Sequence, residues 1–135
     1  MIHLDTSFLI DLLRETNRER PGPAFDLIES LDPNEVLGIS VHVACELRVG
    51  AELSRHALRE HEALDQLLSS LQVAYPDERF APAYGRLLAA TTRGGRPVAA
   101  MDLLIATSAI LDDAPLVTAN VKDFSRVPGL RVLKY

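Results

Sequence analysis

The apolar positions begin with a short run, "MIHL", and after Asp5 they resume in "TSFLIDLLRE", where they recur at helical spacing. That pattern predicts strand, turn and helix, with Thr6 or Ser7 placed to cap the helix. "NRERPGP" interrupts it, "AFDLIESL" restarts a short helix, and "DPNE" ends that helix. "VLGIS" reads as a second strand, after which Ser40 can cap a helix over "VHVACELRVGAELS". A further helix near residues 55–71 sets Leu58, Leu64, Leu67, Leu68 and Leu71 on one side, and "QVAYP" forms a third strand closed by Pro76. "DERFAPAYGRLLAATTRGG" predicts a helix interrupted at Pro82 and stopped by Gly94 and Gly95. "PVAAMDLLIATSAIL" is apolar nearly all round, as expected of a helix buried on several sides. "PLVTA" and "LRVLKY" supply a fourth and a fifth strand. Strands alternating with helices imply parallel crossovers, so the expected fold is α/β, with three α/β/α layers around a central, mostly parallel sheet.

A chain of 135 residues that is 47% apolar suits one domain, and residues 1–135 are read as such. The lone Cys45 excludes an intrachain disulfide and sits in a helix-like context, which fits a reducing compartment. No stretch approaches the roughly 18 apolar residues of a membrane span. "MIHLDTSF" also lacks the basic start of a secretory signal, so the expectation is a cytoplasmic protein with no membrane partner.

The net charge of −5 argues at first against a polyanionic ligand. Its distribution changes that picture. Residues 1–78 carry 6 basic and 15 acidic side chains, net −9, whereas residues 79–135 carry 8 basic and 4 acidic, net +4. Twelve of the 14 cations are Arg, whose planar fork suits phosphate.

In parallel sheets, functional groups gather where strands end and helices begin. Asp5 stands at the first such end, Glu46 lies in the helix after the second strand, Asp102 begins the apolar helix, and Asn120 and Asp123 follow the fourth strand. Two carboxylates about 4 Å apart repel by about 4 kcal/mol at an effective dielectric near 20, so protons or a cation must offset the gathering. All-oxygen ligands select Mg²⁺ or Mn²⁺, and the first-turn position of Asp102 favours its ionised form, so a metal is the preferred solution. Taken singly, Asp5 and Asp102 also suit helix caps, and Asp123 suits a solvated loop. Glu46, among Val43, Ala44, Cys45 and Leu47, has no cation beside it, because Arg48 points elsewhere.

Other chemistry is poorly supported. His42 and Glu46 share a helical spacing, but no further pair completes a zinc site. His3, His56 and His61 are unpaired, no glycine-rich phosphate loop occurs, and neither Cys45 nor Ser40 has an evident base.

Taken together, "LDTSFLIDLL", "ISVHVACELRVGAE", "GRPVAAMDLLIATSAI" and "LVTANVKDFSRVPGLRV" resemble the PIN domain, in particular the VapC-type toxins of bacterial toxin-antitoxin pairs. The resemblance implies an Mg²⁺-dependent endoribonuclease that hydrolyses RNA, pairs with itself and is silenced by a cognate antitoxin. It makes Asp5, Glu46 and Asp102 the metal acids, with Asp5 and Asp102 as direct ligands. Thr6, Ser7 and Thr118 become supporting hydroxyls. Asn120 stands where many members carry a fourth acid, which leaves Asp123 as the nearest substitute. Arg93, Arg96, Lys122 and Arg126 are placed to meet RNA phosphates, and the apolar "FLIDLL" and "LLSSL" helices offer a face to the antitoxin. Two rivals remain: a receiver-like signalling module, which needs an acid pair after its first strand, and a PIN-shaped scaffold without catalysis.

Overall fold

The computed structural model describes residues 1–135. Its strands are β1 (Ile2–Leu4), β2 (Leu37–Ser40), β3 (Gln72–Ala74), β4 (Leu116–Val117) and β5 (Val132–Leu133). The helices are α1 (Thr6–Asn17), α2 (Pro23–Ser30), α3 (Val41–Glu52), α4 (Ala57–Leu68), α5 (Phe80–Arg93), α6 (Ala100–Leu111) and α7 (Val121–Phe124). The five strands form one sheet in the order β3-β2-β1-β4-β5, and every pairing is parallel. Seven helices flank it in the expected three-layer α/β/α arrangement.

Burial explains the sheet. β1 is buried throughout, as the central strand of a covered parallel sheet must be. His3 and Leu4 pair with Leu116 and Val117 on one side, while Ile2 and His3 pair with Leu37 and Gly38 on the other. Phe8, Leu9, Ile39, Val43, Leu103, Ile105 and Phe124 complete the middle of a core of 19 buried apolar residues. α6 is sunk into it, with Leu103 and Ile105 through Ala109 all buried. No helix is long and apolar enough to cross a membrane.

Several local expectations shift. Asp5, not Thr6 or Ser7, occupies the N-cap position of α1. Leu58 lies at the first turn of α4 and is 77% exposed, so it leaves the buried side that Leu64 anchors. Pro82 does not interrupt α5, because it falls in the first turn, where its missing N–H has no helical partner to lose. β4 keeps only two residues of "PLVTA", and the short α7 follows at once. Ser40 caps α3 as expected, its Oγ accepting from the Val43 N–H at 3.2 Å.

The strand order sets the position of the site. The chain moves from β1 outward to β2 and β3, then returns across the sheet to β4 on the far side of β1. The crevice beyond the carboxyl ends of β1 and β4 is therefore the topological switch point, the usual ligand position in open parallel sheets.

Candidate active site

Asp5 is the first residue past β1, and its N–H donates to the Val117 carbonyl at 3.0 Å, so β4 still grips the chain as it leaves the sheet. Its carbonyl accepts from the Leu9 N–H at 3.2 Å and opens α1. The carboxylate makes no capping bond to the helix. Oδ2 instead accepts from Ser7 Oγ at 2.9 Å and from Thr118 Oγ1 at 2.6 Å. These hydroxyls are themselves fixed: Ala119 N–H donates to Ser7 Oγ at 3.0 Å, and Asn120 N–H donates to Thr118 Oγ1 at 3.0 Å. Asp5 is only 5% exposed, Thr118 is fully buried, and Asp5 Oδ1 has no protein partner.

The neighbouring residue of the same turn serves the second acid. Thr6 Oγ1 donates to Glu46 Oε1 at 2.8 Å, which ties the start of α1 to the middle of α3. Arg48 turns away from Glu46 to His61 and Asp65, as expected.

Asp102 lies in the first turn of α6 and makes no hydrogen bond that would make it a cap. The helix dipole there favours an ionised carboxylate, but it is outweighed. Burial first, then the charges of Asp5, Glu46 and Asp123, push the Asp102 carboxyl up to about 6. Carboxylates from three other segments thus act on Asp102 across the switch point. They form no ready-made cage, since no three His, Cys, Asp or Glu side chains stand close enough to enclose an ion. The donor set nevertheless fits a hard divalent cation, being all oxygen, crowding charge onto Asp102 and provided with a free oxygen on Asp5.

Asn120 contributes through its backbone N–H, and its side-chain amide meets none of the acids. Asp123 is the residue of that loop whose charge reaches Asp102. Of the four suggested RNA cations, Arg96, Lys122 and Arg126 line one cleft, whereas Arg93, at the end of α5, stands outside it. Spacing alone gives no sign of Tyr135, which reaches the site from the far end of the chain. Its ring packs edge-on to Phe8 at 4.8 Å, its hydroxyl donates to Asp11 Oδ2 at 2.7 Å, and it lies within reach of Ser7. Burial, and then the Asp11 carboxylate, raise its phenol well above the ordinary range.

The weaker constellations dissolve into structural roles. His42 stacks on Phe80 at 5.5 Å, and burial lowers its pKa. His3 Nε2 meets Asp112 at 2.7 Å, and His61 meets Glu52 at 2.9 Å. β3, where a receiver would carry its phosphoacceptor, is an edge strand separated from the switch point by β2. Phe8 is fully buried, so the "FLIDLL" face does not offer it to a partner. The open groove is lined instead by Ile10, Leu13, Leu47, Leu64 and Glu46.

Comparison with known proteins identifies relatives of the chain and of its fold. The model of the PIN domain matches residues 2–130. Ribonuclease VapC1 of Haemophilus influenzae is 33% identical over 128 residues, which cover 95% of this chain and 92% of that protein. The tRNA(fMet)-specific endonuclease VapC of Salmonella typhimurium is 34% identical over 94 residues, 70% of this chain and 71% of its own. Among solved structures, that of VapBC2 from Rickettsia felis, bound to a DNA fragment from their promoter, superposes with a TM-score of 0.88 at 31% identity. It covers 100% of this chain and 99% of the matched one.

Proposed function

The chain belongs to the PIN domain family and is of the VapC type, and from that premise we propose that it is an Mg²⁺-dependent endoribonuclease, the toxin of a toxin-antitoxin pair acting in the cytoplasm. The single observation that carries the reading is the gathering of Asp5, Glu46 and Asp123 around Asp102 at the switch point, where burial and their charges raise its carboxyl and a divalent ion would relieve the strain. Asp5 and Asp102 are the ligands and Glu46 the third acid. Bound there, Mg²⁺ or Mn²⁺ would offset the carboxylates, acidify an attacking water and neutralise charge growing on the scissile phosphate.

The protein's own residues supply the rest. Ser7 and Thr118 hold Asp5 Oδ2, which leaves Oδ1 without a protein partner. Thr6 holds Glu46, which would accept the proton that the attacking water gives up. Asn120 and Asp123 border the crevice on the α7 side. The products expected are a 5′-phosphate and a 3′-hydroxyl. An antitoxin segment would lie in the groove between α1, α3 and α4, a cleft of about 280 Å³ that includes Glu46, and would direct a cationic side chain at the acids.

The test is Asp102→Asn. Loss of Mg²⁺-dependent RNA cleavage with an unchanged circular dichroism spectrum is expected, and cleavage at the wild-type rate would falsify the metal assignment.

A further inference from the structure

Beside the acidic crevice lies a second cleft of about 500 Å³, lined by Gly95, Arg96, Pro97, Lys122, Ser125 and Arg126. Three of the six are cations, and none carries a large apolar side chain. Its two walls are the turn between α5 and α6 and the helix α7 with the two residues that follow it, and both walls are fixed. Arg96 N–H donates to Thr91 O at 3.2 Å and Gly95 N–H to Thr92 O at 3.2 Å. Gly95 adopts φ +66, a left-handed conformation that a side chain would strain. Arg126 bridges the walls, with Nη1 donating to Pro97 O at 3.4 Å and standing 3.7 Å from Asp123 Oδ1. Arg96 and Lys122 are exposed and have no ion-pair or hydrogen-bond partner for their charged ends.

Position gives the cleft its meaning. Pro97 leads into α6, which carries Asp102, and Lys122 adjoins Asp123, whose carboxylate acts on Asp102. α7 is therefore a wall common to the acidic crevice and the basic cleft. A polyanion approaching carboxylates is repelled unless cations beside them offset the field, and the cations of the chain are concentrated in this half, net +4 over residues 79–135. Arg forks and a Lys ammonium suit phosphate oxygens, and without an apolar anchor the cleft offers little to a protein partner.

We propose that this cleft is a phosphate subsite, in which Arg96 and Lys122, on walls braced by Arg126, hold a backbone phosphate of single-stranded RNA next to the one cleaved. The inference rests on the ribonuclease reading and adds where the substrate's neighbouring phosphate sits. Arg96 and Lys122 act as binding residues with free donors, while Arg126 keeps the walls at their spacing.

The experiment compares Asp102→Asn protein with the triple variant Asp102→Asn, Arg96→Gln, Lys122→Gln in binding a fluorescent single-stranded RNA over a series of salt concentrations. Loss of the two free cations that hold this one phosphate is expected to weaken binding about tenfold or more and to flatten the slope of log K against log salt by about 0.7. In the active background, Arg96→Gln with Lys122→Gln is expected to raise KM for RNA while kcat stays near wild type. Unchanged affinity and slope, in a protein whose wild type cleaves that RNA, overturn the subsite and leave the nuclease intact. Absence of cleavage by wild type with Mg²⁺ present overturns the ribonuclease reading itself. Equal competition by inorganic phosphate and by the RNA, at matched phosphate concentration, also overturns the proposal, because it marks a free-anion site.

Discussion

Asp5 divides its two oxygens between tasks. Oδ2 takes both hydroxyl hydrogen bonds, and a charge-assisted bond of this kind is worth about 1.5–3 kcal/mol. Oδ1 has none, so its lone pairs remain for a cation. Thr118 is the stronger of the two anchors by distance and the more deeply buried, and Val has nearly its shape. Thr118→Val is therefore expected to lower Mg²⁺ affinity and RNA cleavage by about 10- to 100-fold. Titration of the metal by calorimetry, beside cleavage rates, checks this, and a variant with wild-type affinity would show that the hydroxyl does not orient the ligand. The interruption of the apolar run makes Asp5 and Ser7 conspicuous in the sequence. Thr118, 113 residues away, is found only through resemblance to the family, and Tyr135, 124 residues from Asp11, is not found at all. Such contacts depend on how β4 and the C-terminal segment fold back beside β1, and no local spacing records that.

Among the elements, the helices carry most of what spacing could and could not predict. Their existence follows from the apolar period, and buried α6 follows from its apolar surface all round. Their ends do not follow so directly, because side chains from elsewhere complete them. The first free N–H groups of α2 are taken by Glu15 of α1, whose carboxylate accepts from Ala24 at 3.1 Å and Phe25 at 2.8 Å. Packing also decides which apolar residues of α1 remain open. Phe8 and Leu9 vanish into the core, while Ile10, 37% exposed, and Leu13 face the groove toward α3 and α4. Phe8→Asp would unfold the protein and reveal nothing about a partner. Ile10→Asp leaves the core untouched and is expected to abolish co-purification of a co-expressed antitoxin, with RNA cleavage by the isolated chain retained. Co-purification undiminished by this change would place the antitoxin elsewhere.

At the scale of the whole molecule, the strand order and the charge balance act together. The order β3-β2-β1-β4-β5 makes the crevice at β1 and β4, and the chain fills it with acids from both halves of the sequence. Alternation of strands and helices makes a covered parallel sheet legible. The return of the chain from β3 to β4, which creates the switch point, is a matter of topology that composition and period leave open. The resulting strain on Asp102 has a defined dependence on pH. Its carboxyl is raised from 3.8 to about 6, so the folded state holds a proton that the unfolded chain releases. The stability this proton provides is fully present below about pH 4 and is lost as pH rises through about 6. Without metal, Asp102→Asn is therefore expected to melt at a higher temperature than wild type above pH 6 and to show no such advantage near pH 4. Mg²⁺ acts in the opposite sense, because it binds the ionised form, and at 100 times its dissociation constant a ligand stabilises by about 2.7 kcal/mol. Thermal melts should thus show a magnesium-dependent rise in Tm at pH 7.5 that shrinks at pH 5, where the proton competes, and disappears in Asp102→Asn. An equal rise in wild type and variant would mean that the ion binds away from these acids.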